Sequence, residues 1–153
     1  MSAADPHHPF AAVLGRWHTT GTVLDDAGAP VGAVDGTDEY ELMAGHRWVV
    51  HRVDVRLGPD RAQALELIGD HDPQAGTWAV HAFDADGSHS LMRACRRSDG
   101  SWLFAADDVR AVLRVHADGR SMSASWQRRV PPDRWLRWMD LRFTRQDSSQ
   151  PEG

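Results

Sequence analysis

The sequence predicts an all-β protein, a single antiparallel meander β-barrel of about ten strands with a short N-terminal helix. Three observations carry this. Short runs rich in β-branched and aromatic residues recur at roughly ten- to twelve-residue intervals, separated by turn signals. After Gly15 no segment keeps the 3.6-residue period of an amphipathic helix. A meander this long is best accommodated by closing on itself, which removes both exposed edges.

The elements follow in order. Pro9 suits a first helical turn, and Phe10, Val13 and Leu14 fall at i, i+3 and i+4. Strands are then expected at 16–24, 33–42, 46–57, 62–71, 76–84, 88–97, 101–106, 108–117, 120–129 and 134–145. Residues 1–146 are assigned to the barrel and the polar segment 147–153 to a disordered tail. Asp86-Gly87, Asp99-Gly100 and Asp118-Gly119 have the composition of two-residue hairpin turns.

Each such turn fixes a register, and each register fixes a face. With Ala117 opposite Arg120, the residues Ala111, Leu113, Val115, Met122, Ala124 and Trp126 share one side. The arginines and serines of the same strands share the other, and a slip of one residue scrambles the separation. The same rule at Asp86-Gly87 and Asp99-Gly100 gathers Trp78, Val80, Ala82, Leu91, Cys95, Trp102 and Phe104, with His89 and Arg93 among them. Pairing across Asp72–Gly76 adds Ile68 and Glu66. An apolar wall carrying a few polar groups is the composition of a ligand cavity. The opposite face, with Leu65, Leu67, His81, Phe83 and Met92, is also apolar, and His81 takes the polar role if that face is the interior.

Composition narrows the function classes. The net charge of -5 and arginines spread at strand-like spacing argue against a nucleic-acid footprint. Cys95 is the only cysteine, so no internal disulfide forms and a reducing compartment is expected. No signal peptide or membrane-length apolar run is visible, which points to the cytoplasm. Every basic residue other than histidine is arginine, and Ala, Asp and Gly abound, as in GC-rich bacterial genomes.

Glu66, His89 and Arg93 are the candidate polar set of the cavity. Arg93 would hold an anionic or carbonyl-bearing ligand, and a buried Glu beside a His could exchange protons. His51 joins them because it shares a face with Val49, Val53 and Val55. Trp78, Trp102 and Trp126 are candidate aromatic walls. Trp135 and Trp138 are three apart, so one of them should be exposed and could serve a homodimer contact. His46 and His51, read on one strand, point to opposite faces, and no His/Cys cluster has ligand spacing, so no metal is expected. There is no G-x-S-x-G elbow, phosphate-cradling loop or dinucleotide fingerprint.

The stretch "LGRWHTTGTV" places a glycine two residues before a tryptophan at the head of the first strand. Followed by a β-meander, it resembles the calycin superfamily of lipocalin and fatty-acid-binding-protein barrels. The resemblance implies that Trp17 plugs one barrel end and that Gly15 lets the entering chain cross closely beneath it. "YELMAGHRWVVHRV" and "LIGDHDPQAGTWAVHAFDADG" are similar to the small bacterial DUF1579-type, nitrobindin-like proteins. Haem binding there uses a histidine near the last strands. "RWLRWMDLRFTR" has none and His116 is read as solvent-facing, so no cofactor is expected. The function expected is binding of a small hydrophobic or aromatic molecule in the barrel. The alternative is a cofactor-free cyclase or isomerase that folds a bound substrate, and a third reading is an interaction module with a packed interior.

Overall fold

Ten strands form one closed barrel in the computed structural model of the chain, which describes residues 7–147. They are β1 (Gly15–Leu24), β2 (Pro30–Leu42), β3 (Val49–Leu57), β4 (Asp60–Asp72), β5 (Thr77–Asp84), β6 (His89–Arg96), β7 (Trp102–Ala105), β8 (Val109–Val115), β9 (Ser121–Val130) and β10 (Arg134–Arg145). Each pairs antiparallel with its sequence neighbours, and β1 pairs with β10 to close the ring. All ten expected strands are present. The largest boundary differences are at β2, which begins earlier, at Pro30, and at β3, which begins later, at Val49. Gly45 and His46 both take positive φ, 90° and 60°, and form a turn, so His46 is not on the strand. The segment 148–153 of the expected tail lies outside the described residues.

The N-terminal helix shrinks to a single 3-10 turn, Ala11–Val13. The reason is competition for carbonyls. Trp17 Nε1 donates to the Val13 carbonyl at 2.9 Å, and the Arg145 guanidinium donates to the carbonyls of Leu14 and Ala12 at 2.6 and 3.1 Å. Gly15 then turns the chain with φ of 122°, a conformation closed to most L residues, and a Cβ there would lie 2.5 Å from Arg145 Nη1.

Trp17 is completely buried under that crossing, with the Arg145 guanidinium 4.2 Å from its ring centroid. Phe10, Val13, Trp102 and Met122 pack around it and fill this end of the barrel. A smaller apolar cluster, Val34, Val55 and Met139, lies toward the other end. Gly36 sits inside between them. A Cβ there would fall 2.2 Å from the Asp54 carbonyl oxygen and 2.5 Å from Val55 Cα, so the close approach of β2 and β3 at this bend requires glycine.

The hairpins decide which faces point inward. At Asp118-Gly119 the expected register holds, with Ala111 opposite Trp126, Leu113 opposite Ala124 and Val115 opposite Met122. The other two Asp-Gly loops are longer by one residue than a two-residue turn. Asp84 N–H donates to Ser88 O and Phe83 pairs with His89, while Arg97 N–H donates to Ser101 O and Arg96 pairs with Trp102. Gly87 and Gly100 take φ of 92° and 88°. Each is a three-residue loop ending in a left-handed glycine, which shifts register by one. The first shift turns β6 over: Met92 and Ala94 face in, and His89, Leu91, Arg93 and Cys95 face out. The second restores the phase, so Trp102 and Phe104 face in as expected.

No helix among the described residues is long and apolar enough to cross a membrane.

Candidate functional site

Between the two apolar clusters lies a cavity of about 260 Å³. Its wall is mostly aliphatic and aromatic: Val34, Val53, Val55, Phe104, Leu113, Trp126 and Phe143 among others. Asp84 also lines it and is solvent-exposed, so the mouth lies at the end carrying the β5–β6 loop, opposite Trp17.

One patch of this wall is polar, and alternation along three adjacent strands builds it. On β2 the inward residues are Val34, Gly36, Asp38 and Tyr40. On β3 they are Val49, His51, Val53 and Val55, and on β4 Ala62, Ala64, Glu66 and Ile68. Tyr40 is paired with His51, and His51 with Glu66. Cross-strand pairs on one face bring their side chains together.

His51 is clamped from both sides. Its Nε2 donates to Asp38 Oδ1 and its Nδ1 to Glu66 Oε1, each at 2.7 Å. With both ring nitrogens donating to carboxylates, the ring is an imidazolium. Burial alone pulls its pKa down. The Glu66 charge and the hydrogen bonds that His51 donates to both carboxylates outweigh that and raise it to about 9. Asp38 accepts a further, short hydrogen bond from the Thr19 hydroxyl. The Tyr40 ring stacks on the imidazole, 3.9 Å between centroids and 8° from parallel.

Two polar atoms of this group are unused by the protein. Glu66 Oε2 and the Tyr40 hydroxyl have no hydrogen-bond partner among the described residues, and both side chains line the cavity. Burial, with Asp38 and Glu66 nearby, pushes the Tyr40 pKa well above its ordinary value, so the phenol stays protonated. The open carboxylate oxygen is an acceptor, and the phenol is both donor and acceptor.

The sequence-predicted set divides. Glu66, His51 and Trp126 line the cavity. Trp78 and Trp102 face inward but belong to the packed end: Trp102 stacks on Phe10 at 4.3 Å, and Trp78 meets Phe10 edge-on at 5.5 Å. His89 and Arg93 lie on the outer face, for the register reason given above. His81 does too, opposite Leu67 and Leu91, so neither expected face is interior as a whole. Trp135 and Trp138 are both half-buried, contrary to the expectation that one is exposed. Trp135 lies under the Arg110 guanidinium at 4.1 Å. Trp138 sits at a register shift in β10 and packs edge-on against Trp126. The exposed large apolar side chains on the strands, among the described residues, are instead Val31, Leu65, Phe83 and Leu91. Among the described residues no group of three or more His, Cys, Asp or Glu is arranged to hold a metal ion.

Asp38, Tyr40 and Thr19 were missed by sequence reasoning. A signal existed in "VDGTDEYEL": every second residue from Val34 gives Val34, Gly36, Asp38, Tyr40 and Leu42, one apolar face with a single charge on it.

No protein-family model matches the chain, and no curated protein does. Among solved structures it is similar to the S-type phycobiliprotein lyase CPES from Guillardia theta, with a TM-score of 0.64 at 9% identity over 92% of each chain. A de novo designed fluorescence-activating β-barrel aligns over 87% of this chain and 93% of its own, at 14% identity and a TM-score of 0.46. The first likeness supports the closed antiparallel barrel as the fold.

Proposed function

We propose that the protein binds a small, largely apolar molecule inside the barrel, oriented by the polar patch of β2, β3 and β4. The observation that carries this is the 260 Å³ cavity with one polar group set in an otherwise apolar wall. Ligand sites have that composition: apolar surface for affinity and a few placed polar atoms for orientation. A volume equal to roughly nine waters of bulk liquid suits a ligand of one or two rings. The solved structure of the same fold is named as a phycobiliprotein lyase.

The proton chemistry favours binding over acid–base turnover. The imidazole of His51 has both nitrogens engaged and holds its proton to about pH 9, so at neutral pH it has no lone pair to offer.

Two substitutions test the reading. Ala64 lines the cavity and pairs with Val53 and Asp84 toward the mouth. Ala64→Leu should reduce binding of a naphthalene-type fluorescent probe at least tenfold and leave the urea midpoint nearly unchanged. Full affinity in a folded Ala64→Leu protein would exclude the cavity as the site. Arg93→Met, on the outer face, should change affinity for any probe by less than about 0.5 kcal/mol, the scale of an ordinary surface substitution. Titration of both variants with the same probe gives the comparison.

A further inference from the structure

We propose that the ligand is a protonated amine on a small apolar body, an inference that rests on the binding reading above. Three observations meet here. First, the cavity wall is acidic. Asp38, Glu66 and Asp84 line it, and its one cationic side chain, His51, is enclosed between two of them. Two carboxylates against one imidazolium leave one negative charge in excess at the inner patch. None of the arginines lines the cavity.

Second, the polar atoms left open suit an ammonium. Glu66 Oε2 accepts, and an N⁺–H donor to a carboxylate gives the stronger, charge-assisted class of hydrogen bond. Tyr40 is only 7% exposed and its hydroxyl has no partner among the described residues, although it lines the cavity. The hydroxyl is open to the cavity, where a ligand N–H would give it a partner. Third, aromatic rings surround the space. Tyr40, Phe104, Trp126 and Phe143 all line it, and ring faces attract cations most where water is excluded. An anionic ligand would meet the reverse of each term: uncompensated carboxylates, a negative potential at Asp84 and no arginine.

The selectivity is therefore opposite to the anion preference expected from an inward Arg93. A matched set of probes tests it at pH 7: 1-naphthylmethylamine, 1-methylnaphthalene and 1-naphthoate, each titrated into the full chain by fluorescence or calorimetry. The amine should bind at least tenfold tighter than the hydrocarbon, and the carboxylate at least tenfold weaker. Glu66→Gln should abolish the amine's advantage over the hydrocarbon, read as the ratio of the two affinities in the same variant. Tyr40→Phe keeps the stacked ring, so it provides a folded variant even if Glu66→Gln melts, and it should cut the amine-to-hydrocarbon affinity ratio several-fold. Equal affinities for amine and hydrocarbon, or a tighter naphthoate, overturn the amine assignment and leave cavity binding standing. Failure of all three probes to bind folded protein overturns both.

Discussion

Trp17→Ala is expected to lose about 3–5 kcal/mol of folding stability, the cost of deleting a large buried aromatic. Trp17 is fully buried, and its ring carries three separate attachments. It packs with Phe10 and Val13, donates Nε1–H to the Val13 carbonyl and lies beneath the Arg145 guanidinium. Truncation opens a void at the closed end and leaves a buried carbonyl unsatisfied. The surrounding side chains come from opposite ends of the chain and are themselves packed, so collapse can recover little. Urea melts of the two proteins measure the difference. A loss below 1 kcal/mol would show that the tryptophan does not cap the barrel.

His51→Leu should cost a comparable amount, about 3–5 kcal/mol, because it leaves Asp38 and Glu66 buried near one another with no cation between them. The wild-type protein should also show the His51 signature in its pH dependence. The folded pKa of about 9 lies above the ordinary 6.5. The stabilisation is therefore fully present below pH 6.5 and is lost as pH rises toward 9. A shift of that size corresponds to about 3 kcal/mol by linkage. Urea melts at pH 6 and pH 9.5 should show wild type losing stability over the interval, and His51→Leu losing far less. Parallel losses in the two proteins would show that the imidazolium is not held as the geometry requires.

What could be read from sequence follows a physical line. Strand identity depends on alternation and turn chemistry, which are local, so all ten strands were legible. Face depends on register, and register on loop length. Asp-Gly is compatible with both two-residue and three-residue loops, because a left-handed glycine serves each. Reading Asp86-Gly87 as the shorter loop placed Arg93 inside, whereas the structure places it outside. The equal misreading at Asp99-Gly100 cancelled the first, which is why Trp102 and Phe104 came out right. Glu66 and His51 lie upstream of both slips, on strands whose faces were fixed by their own valines and isoleucine, so their inward placement was legible. Asp38 escaped because Glu39 and Glu41, close by in sequence, mask the single inward carboxylate in the alternation. Arg145 escaped because its carbonyl partners are at the other end of the chain, where no local pattern announces them.

That last separation has a kinetic consequence. Nine of the ten strand pairings join neighbours across short loops and form at small entropic cost. The β1–β10 seam alone joins segments far apart, and its Arg145–Leu14 hydrogen bond spans 131 residues. Long-range pairings are the slow ones in folding. The chain should pass through a curled, open sheet whose hairpins are formed before the seam zips, with the Gly15, Trp17 and Arg145 cap assembled in the same final step. Opening of the native barrel should begin there too, so amide protons of β1 and β10 should exchange with solvent ahead of those in β4 and β5.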